Sequence, residues 1–572
     1  RHSFPTRRSS DLEVCRLDPR CRAAVDLDGG IYGDIEEAPA TRPMLLMTSA
    51  SSGQNETART KWQAVISRAQ APAAVTAARP AVPYGVQAGD LLGGRGMVWS
   101  KCDRPARMLV RWATTESMAE PVAAPVVDAL EDRDHAAKID LDGLPPGQRI
   151  FYEVRFLDLG DLKTLSEPAR GSFTTAPRER RDIRFVWSAD TVGQGWGINP
   201  DLGGMRIYET MRQVEPDFFI HSGDTIYADN PVYAEARTFD GKTWLGPDGR
   251  PWRNVTIPEK EKVAETLHEF RMNFAYNLLD DNLRRFNAAV PMYAQWDDHE
   301  VVDNWYWELR KDKDQRYREG SVALLAARAM RAFHDYMPTR QHPLDPQRIF
   351  TSFPYGPSLE VFRLDLRSYR GPNSDGLQTA LSPESRILGE RQLAWLKQAL
   401  ADSRATWKVI ACDMPIGLIV WDDWRSRSGA EAVAQGDMGK PLGRELEFAE
   451  LLRFIRDRKI RNLVWLTADV HYTAAHRYDP NRAQFQEFAP FWEFVSGPLN
   501  AGTFGPNGLD ATFGPEAVFV KAPPPGQVNL PPSAGMQFFG QVDIDGRSEV
   551  MTVRLKDVAG ATLFTQELAP AT

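Results

Sequence analysis

The chain has few cysteines and lacks any long apolar run. Its 572 residues include only four cysteines, and these give no clear redox compartment. Cys102 and Cys412 fall in predicted strands and are expected to be buried free thiols, whereas for Cys15 and Cys21 a disulfide stays open. No run of about 18 apolar residues occurs, so no transmembrane segment is predicted.

Strong positive charge is also lacking. The net charge is −8 at pH 7, which argues against nucleic acid or an anionic membrane surface as the main partner. A phosphate substrate is not excluded, because bound cations can reverse the local field. Nothing in the composition predicts an oligomeric state.

The first 82 residues carry little periodicity and are rich in Ala, Pro, Arg and Ser. We interpret residues 1–82 as a leader or a disordered arm. Their start, RHSFPTRRSSDL, reads like foreign sequence. Arg7 and Arg8 are followed by polar residues where an export signal needs an apolar region, so no signal peptide is visible in this sequence.

Residues 83–176 are predicted to form a small N-terminal β-sandwich domain. Short alternating runs such as GMVWS (96–100) and RIFYEVRF (149–156) are separated by turn signals such as LPPGQ. This spacing is typical of an all-β domain. The segment contains no convincing catalytic group.

Residues 177–572 alternate apolar strands with amphipathic helices, which predicts an α/β domain with largely buried strands. The predicted strands are 183–189, 217–222, 292–296, 359–365, 407–412 and 462–468, and the predicted helices are 202–214, 260–286, 320–336, 388–402 and 443–458. Residues 535–570 return to alternation and are expected to add antiparallel strands.

Four of the predicted strands are followed closely by an acidic residue, at Asp190, Asp224, Asp298 and Asp469. Ligands of α/β sheets bind beyond the carboxyl ends of strands, so four segments bring carboxylates to one edge. Converging carboxylates repel unless cations neutralise them. Two ions about 3.5–4 Å apart would form the usual clamp for displacement at phosphorus, with attack by a metal-bound hydroxide. The sequence therefore predicts a metal-dependent phosphoesterase.

Tyr227 and His471 stand beside these carboxylates and are predicted metal ligands. The GDTIY segment places Asp224 and Tyr227 three residues apart in one strand-to-loop turn. A phenolate favours a hard trivalent metal such as Fe(III), and oxygen ligands with an imidazole also suit Mn, Zn or Ca. The alternative is that Tyr227 only packs over its loop.

His299 and Arg367 are the predicted catalytic residues. His299 follows Asp298 directly, so it can face the substrate and protonate the leaving alkoxide; the alternative is a buried histidine bonded within its turn. Arg367 and Arg370 follow a predicted strand, where a guanidinium can hold phosphate oxygens. The alternative for these arginines is an ion pair with Asp365 or another acid.

At these motifs the chain resembles the PhoD-type alkaline phosphatases of the calcineurin-like metallophosphoesterase superfamily. The resemblance runs over about residues 84–570 and rests on GDTIYAD, QWDDHEVVDNW, LDLRSYR, LGERQLAWL, TADVH and FWEFVSGPLNAGTFGP. It implies an α/β fold, a metallophosphoesterase β-sandwich flanked by helices, preceded by a small immunoglobulin- or fibronectin-like all-β domain.

The resemblance also implies an activity, which is hydrolysis of phosphate monoesters, diesters or both, commonly with iron and calcium. It implies an exported protein, periplasmic or extracellular, acting on a small phosphate ester. Asp224 would bridge the ions and Tyr227 would bind iron. Asp298, Asp469 and His471 would complete the cluster.

The chain departs from the family at Asp190. The family's first strand often ends in a cysteine that binds iron, whereas VWSAD places a carboxylate there. A carboxylate is a harder ligand than a thiolate, so Asp190 keeps Mn, Zn or Ca open as the metals. Two other functions also stay open: a phospholipase-like phosphodiesterase, and a non-catalytic phosphate-ligand or cell-surface binding protein with structural metals.

Overall fold

The computed structural model describes residues 79–238 and 240–571. Most of the predicted arm, residues 1–82, therefore lies outside the described residues, together with Cys15 and Cys21. Cys102 and Cys412 are buried and free, which confirms the prediction for both thiols. Within the described part of the chain, no helix combines the length and the apolar composition that a membrane crossing needs.

The described residues contain 23 strands and six α-helices. The strands are β1 Val86–Leu92, β2 Arg95–Lys101, β3 Ala106–Ala113, β4 Val122–Ala123, β5 Val127–Ala129, β6 Ala136–Leu141, β7 Arg149–Asp158, β8 Ala169–Thr174, β9 Ile183–Ser188, β10 Phe218–Ser222, β11 Met292–Gln295, β12 Thr351–Tyr355, β13 Leu359–Arg363, β14 Trp407–Ala411, β15 Trp421–Asp423, β16 Ser428–Ala430, β17 Leu463–Thr467, β18 Thr473–Tyr478, β19 Phe491–Val495, β20 Pro515–Lys521, β21 Phe538–Ile544, β22 Met551–Asp557 and β23 Thr562–Leu568. The helices are α1 Arg206–Gln213, α2 Leu267–Asn277, α3 Asp281–Ala289, α4 Val322–Tyr336, α5 Gly389–Asp402 and α6 Glu445–Asp457.

The predicted helix 260–286 is two helices because capping residues interrupt it. Thr266 and Glu269 form a capping box that starts α2, and such a box satisfies amide groups that have no partner within the helix. Asp280 then starts α3 by accepting a hydrogen bond from the main-chain NH of Leu283. The other four predicted helices each correspond to one observed helix.

Two large sheets form the centre of the fold. The nine-stranded sheet has the order β23-β22-β21-β9-β10-β11-β1-β2-β6, and the seven-stranded sheet has the order β12-β13-β14-β17-β19-β18-β20. Strands β9, β10 and β11 are parallel to one another, as are β13, β14, β17 and β19. The two sheets share one apolar core, in which Phe185 and Val542 of the first sheet join Val409 and Leu466 of the second.

Helices cover the outer faces of both sheets. Helices α1 to α4 contribute to the apolar core with Val186 and Phe219 of the nine-stranded sheet, and α5 and α6 pack with Ile410 and Trp465 of the seven-stranded sheet. The result is a β-sandwich flanked by helices, as the sequence predicts. Strand β21 pairs with β9, and β22 and β23 follow it outward, each antiparallel to its neighbour, which confirms the expected C-terminal strands.

The N-terminal segment 83–176 divides between two sheets. Strands β3, β4, β5, β7 and β8 form a separate sheet, whereas β1, β2 and β6 extend the nine-stranded sheet. The junction is a parallel pairing of Gly89 in β1 with Met292 in β11. A side chain on Gly89 would lie 2.5 Å from the carbonyl oxygen of Met292, so glycine permits this close approach. The predicted domain boundary between residues 176 and 177 therefore does not coincide with a boundary between sheets, and the assignment of residues 83–176 as an N-terminal β-sandwich domain stays a prediction.

Candidate metal centre

The site forms where the carboxyl ends of strands from both sheets meet. Asp190, Asp224 and Asp298 follow the adjacent parallel strands β9, β10 and β11. Asp469 follows β17 of the other sheet, and the Trp187 indole NH of β9 donates a 3.2 Å hydrogen bond to the carbonyl of residue 467. The strand-end rule thus brings the predicted carboxylates together.

Four ligand candidates have backbone conformations that are rare for residues other than glycine. The φ angles are 69° at Asp190, 50° at Asp224, 66° at Asp469 and 59° at His471. Such left-handed residues persist only where the surrounding structure holds them, and they concentrate at functional sites. Each of these turns leaves its strand sharply and directs a polar side chain into the same region.

The ligand candidates form three overlapping groups. Potential ligand atoms lie within 4.8 Å of one another in Asp190–Asp224–His471, in Asp224–Asp298–His299, and in Asp297–Asp298–Asp469. Asp224 belongs to the first two groups, and Asp298 belongs to the last two. The groups therefore form a row that is joined by two shared carboxylates, as a cluster of neighbouring ions requires.

Several carboxylate oxygens in this row have no hydrogen-bond donor. Asp190 is fully buried, yet neither of its oxygens has a partner, and the same holds for Oδ2 of Asp297 and Oδ1 of Asp298. Burying an ionised carboxylate without a partner is strongly unfavourable. Cations would satisfy these oxygens, so the residues present fit a cluster of metal ions.

Burial and repulsion raise the pKa values of the ligand carboxyls. For Asp190 and Asp469, burial comes first and the negative charge of Asp297 second. Burial is likewise the main reason why the pKa of Asp224 lies well above its usual value. Bound cations would remove this repulsion and hold the carboxylates ionised.

Tyr227 and His471 complete the first group on its buried side. The Tyr227 hydroxyl lies 2.8 Å from Nε2 of His471, and the same Nε2 lies 3.7 Å from Asp190 Oδ1. His471 Nδ1 is bonded to the carbonyl oxygen of Gly502, which assigns the proton to Nδ1 and leaves Nε2 free to bind a metal. Burial lowers the pKa of His471 to about 4, so its ring is neutral.

A glycine makes room for the phenol. A Cβ at Gly193 would lie 2.7 Å from Cζ of Tyr227, which is closer than real side chains approach one another. The loop after β9 can therefore pass directly over the Tyr227 ring only because residue 193 has no side chain.

His299 belongs to the middle group of the row. Its ring stacks on Tyr227 with the centroids 4.2 Å apart, and its Nδ1 lies 2.7 Å from Asp229 Oδ1. Its Nε2 lies 3.7 Å from Asp303, whose side chain is 64% exposed. Burial lowers the pKa of His299, but carboxylates, first that of Asp229, outweigh it and hold the pKa well above its usual value. His299 is therefore protonated in the metal-free protein.

Arg367 is fully buried among carboxylates. Its Nε donates a 2.5 Å hydrogen bond to Asp297 Oδ1, its Nη1 donates to Glu431 Oε1, and its Nη2 lies 3.9 Å from Asp298 Oδ1. Arg370 also binds Glu431. This arrangement differs from the predicted contact with phosphate oxygens, because two of the three guanidinium nitrogens already bind acids. The ion-pair alternative describes both arginines, and contact of Arg367 with substrate stays a prediction.

Sequence reasoning missed four acids around the row. Asp413 is buried directly beyond β14, so the strand-end rule could have found it. Asp229 lies two residues after Tyr227 and ends the GDTIYAD motif. Glu300 accepts hydrogen bonds from the main-chain NH groups of Thr225 and residue 297 and joins two ligand loops. Glu431 gives no local signal, because its importance comes from arginines about 60 residues away.

Comparisons with known proteins identify the family of the chain. The model of the family "PhoD-like phosphatase" matches residues 185–555, and that of "PhoD-like phosphatase, N-terminal domain" matches residues 68–177. Alkaline phosphatase D of Bacillus subtilis (strain 168) is 26% identical over 441 residues. The match covers 74% of this chain and 65% of the relative. The chain therefore spans slightly less than two thirds of that relative's length.

Solved structures show the same fold. A structure of PhoD superposes with a TM-score of 0.60 at 20% identity and covers 88% of this chain and 94% of that chain. A purple acid phosphatase from yellow lupin (Lupinus luteus) seeds superposes with a TM-score of 0.51 at 12% identity, covering 86% and 74% of the two chains. The predicted fold class is confirmed. Since the first family model alone matches more than half of the residues, this chain belongs to the PhoD-like phosphatase family.

Proposed function

We propose that this protein hydrolyses phosphate monoesters, diesters or both, with two or more metal ions bound to the row of buried ligands. The observation that carries the proposal is that three ligand groups share Asp224 and Asp298. A row of this kind holds neighbouring ions on common carboxylates, which is the arrangement used for displacement at phosphorus. Metal ions bound here supply a nucleophile from water near neutral pH and neutralise charge on the phosphate.

The protein's own residues divide the work. Asp190, Tyr227 and His471 would hold an ion at one end of the row, and Asp224 would serve this group and the middle group. Arg367 fixes the Asp297–Asp298 loop through its 2.5 Å hydrogen bond. These residues position ligands and do not exchange protons with the ester.

His299 is the proposed general acid. Asp229 binds Nδ1 at 2.7 Å, which orients the ring and leaves Nε2 at the side of the exposed Asp303 carboxylate. A proton on Nε2 can pass to the leaving oxygen as the ester bond breaks. Before this proton transfer His299 is positively charged, and Asp229 stabilises that charge.

The proposed metals are Fe(III) at the end with Tyr227 and Ca at the end with Asp297 and Asp469. A phenol, an imidazole and carboxylates suit Fe(III), whereas a group made only of carboxylates suits Ca. Mn or Zn are the alternatives that Asp190 keeps open. Elemental analysis and a visible spectrum test this assignment. A charge-transfer band that disappears in Tyr227→Phe supports iron, and colourless protein with only Zn, Mn or Ca contradicts it.

Hydrolysis is tested with p-nitrophenyl phosphate and bis-p-nitrophenyl phosphate. Asp224→Ala should abolish turnover of both esters and lower the metal content, because it removes a ligand from two groups. Asp402→Ala is the matched control, since this exposed aspartate lies at the end of α5. The ratio of the two wild-type rates separates a phosphomonoesterase from a phospholipase-like diesterase. Failure of the intact, metal-loaded protein to hydrolyse either ester would favour a binding protein with structural metals.

The proposal includes an exported location, periplasmic or extracellular. Its support is the resemblance of the chain to a family of exported phosphatases. Fractionation of cells that make the protein from its complete gene tests the location. Recovery of all activity from the cytoplasmic fraction would refute this part of the proposal.

A further inference from the structure

A short hairpin presents an unusual exposed tryptophan. Strands β15 and β16 form this hairpin, residues 421–430, which we call the rim hairpin. Trp424 at its tip is 73% exposed and is the one tryptophan among the strongly exposed large apolar side chains of the described residues. The Arg425 guanidinium lies over the Trp424 ring, 5.2 Å from its centroid. The large apolar surface that remains open is suited to contact with a ligand or a partner.

One side of the rim hairpin is attached to the loop that carries Asp298. The main-chain NH of Asn304 donates a 2.6 Å hydrogen bond to Asp298 Oδ2, and its side-chain amide donates to the carbonyl of Asp422 at 3.2 Å. Asn373 strengthens the junction, since its amide donates to the Asn304 carbonyl at 2.8 Å and to Asp422 Oδ1 at 3.0 Å. Asn304 thus links the base of the rim hairpin to Asp298, one of the two shared ligand candidates.

The other side is attached to the loop next to His471. The main-chain NH of Ile419, just before the hairpin, donates to the carbonyl of Gly508 at 2.9 Å. The Asn507 amide donates to the Ile419 carbonyl at 3.0 Å. In the same loop, Phe504 lies against His471 with ring centroids 5.3 Å apart. The hairpin base therefore connects the two loops that flank the row of ligands.

The C-terminal end of the rim hairpin is also fixed. Glu431 follows Ala430 directly, and its main-chain NH donates to the Val420 carbonyl at 2.9 Å. Its carboxylate binds Arg367 and Arg370. A base held at three places makes the position of the tip well defined relative to the metal centre. Trp424 lies two residues beyond Asp422 and begins the turn between β15 and β16.

We propose that Trp424 is a specificity-determining residue that contacts the organic group of the ester whose phosphate lies in the metal centre. This inference rests on the proposed function and deepens it. The open face of an indole stacks on flat unsaturated rings, and such stacking contributes favourably to binding. The favoured substrate class is therefore a phosphate ester of a phenol or a nucleoside, and an ester of a small alcohol gains nothing from Trp424.

Binding of two non-hydrolysable ligands tests the proposal. Phenylphosphonate and methylphosphonate share the phosphonate group and differ in the ring, so their Kd ratio isolates the ring contact. Isothermal titration of metal-loaded protein should show tighter binding of phenylphosphonate. Trp424→Ala should weaken phenylphosphonate about tenfold and leave methylphosphonate unchanged. Trp424→Phe should restore most of the preference, and Ser426→Ala, at the same tip, should behave like the wild type.

Several outcomes overturn the proposal. These are a wild type without a phenyl preference, an unchanged preference in Trp424→Ala, and an equal loss of both ligands, which would show that the hairpin only supports the metal loops. A changed oligomeric state without a changed preference would assign Trp424 to a protein contact instead. The wild-type hydrolysis assay is separate: a phenyl preference without turnover refutes the proposed function alone, and turnover without a preference refutes the role of Trp424 alone.

Discussion

Replacing Gly497 by alanine should damage the metal centre and spare the fold. Gly497 lies in the loop after β19, and a Cβ at this position would be 2.3 Å from Oδ2 of Asp190. Carbon and oxygen atoms normally remain at least about 3.4 Å apart in such contacts, so the Asp190 carboxylate has to move by about 1 Å. No left-handed φ angle opposes an alanine at residue 497, and Asp190 is the one neighbour in the described ranges that its Cβ would approach within 4 Å.

The fold can absorb this movement, but the site cannot. Neither oxygen of Asp190 has a hydrogen-bond partner among the described residues, so no side-chain hydrogen bond is broken when the carboxylate moves. A misplacement of about 1 Å at a catalytic centre can reduce the rate about 100-fold, which corresponds to about 2.7 kcal/mol. We therefore expect kcat/KM to fall about 100-fold and the ion at the Asp190 end to be lost or bound more weakly.

The assay combines kcat/KM for p-nitrophenyl phosphate, metal content and thermal unfolding with and without chelator. Gly508→Ala is the matched control, because its Cβ would have only an ordinary 3.6 Å contact with Ile419. Metal-free Gly497→Ala and metal-free wild type should unfold at similar temperatures. Wild-type activity and metal content in Gly497→Ala would refute the proposed role of Asp190 as a ligand.

Three further predictions concern charge around the row. Glu431→Gln should lower the free energy of unfolding by about 3–5 kcal/mol in urea titrations, because it leaves Arg367 and Arg370 buried with less compensating charge; a change below about 1 kcal/mol would contradict this. Asp229→Asn should lower kcat about 10–100-fold with the metal content retained, since His299 loses its orienting carboxylate; unchanged kcat would exclude that role. In metal-free protein, the pKa values of three ligand carboxyls lie above their ordinary 3.8, so the folded state keeps protons that the unfolded state releases and stability falls as the pH rises above about 4. The melting temperature should therefore fall from about pH 5 to pH 8 more steeply without metal than with it, and equal slopes would refute this linkage.

The α/β core could be predicted because its signal is local. Buried parallel strands read as apolar runs, and β9, β10, β11 and β17 each end close to where the pattern predicts. The path of β1 was not predictable in this way, because its partner Met292 lies about 200 residues further along the chain. Strand β1 is not among the predicted strand runs, and a local pattern contains no information about which sheet a strand joins.

The site shows the same contrast between what local sequence predicts and what depends on distant residues. Asp190, Asp224, Asp298 and Asp469 follow from one rule about strand ends, and they do converge. The environment of Arg367 does not follow from any local rule, because Glu431 reaches it from a distant hairpin. Residue type alone identifies a guanidinium that can bind anions. Only the packing shows that the anions nearest to it are carboxylates of the protein.

The two ends of the ligand row differ in chemistry, and this makes Asp190 important for the choice of metals. One end combines carboxylates with the imidazole of His471 and the phenol of Tyr227, whereas the other offers carboxylates only. A thiolate at residue 190 would strengthen the softer character of the first end, but a carboxylate brings it closer to the second. Discrimination between two metals then depends on Tyr227 and His471, since Asp224 and Asp298 are shared with the middle group. Loss of the phenol should therefore change which metal is bound more than how many ions are bound.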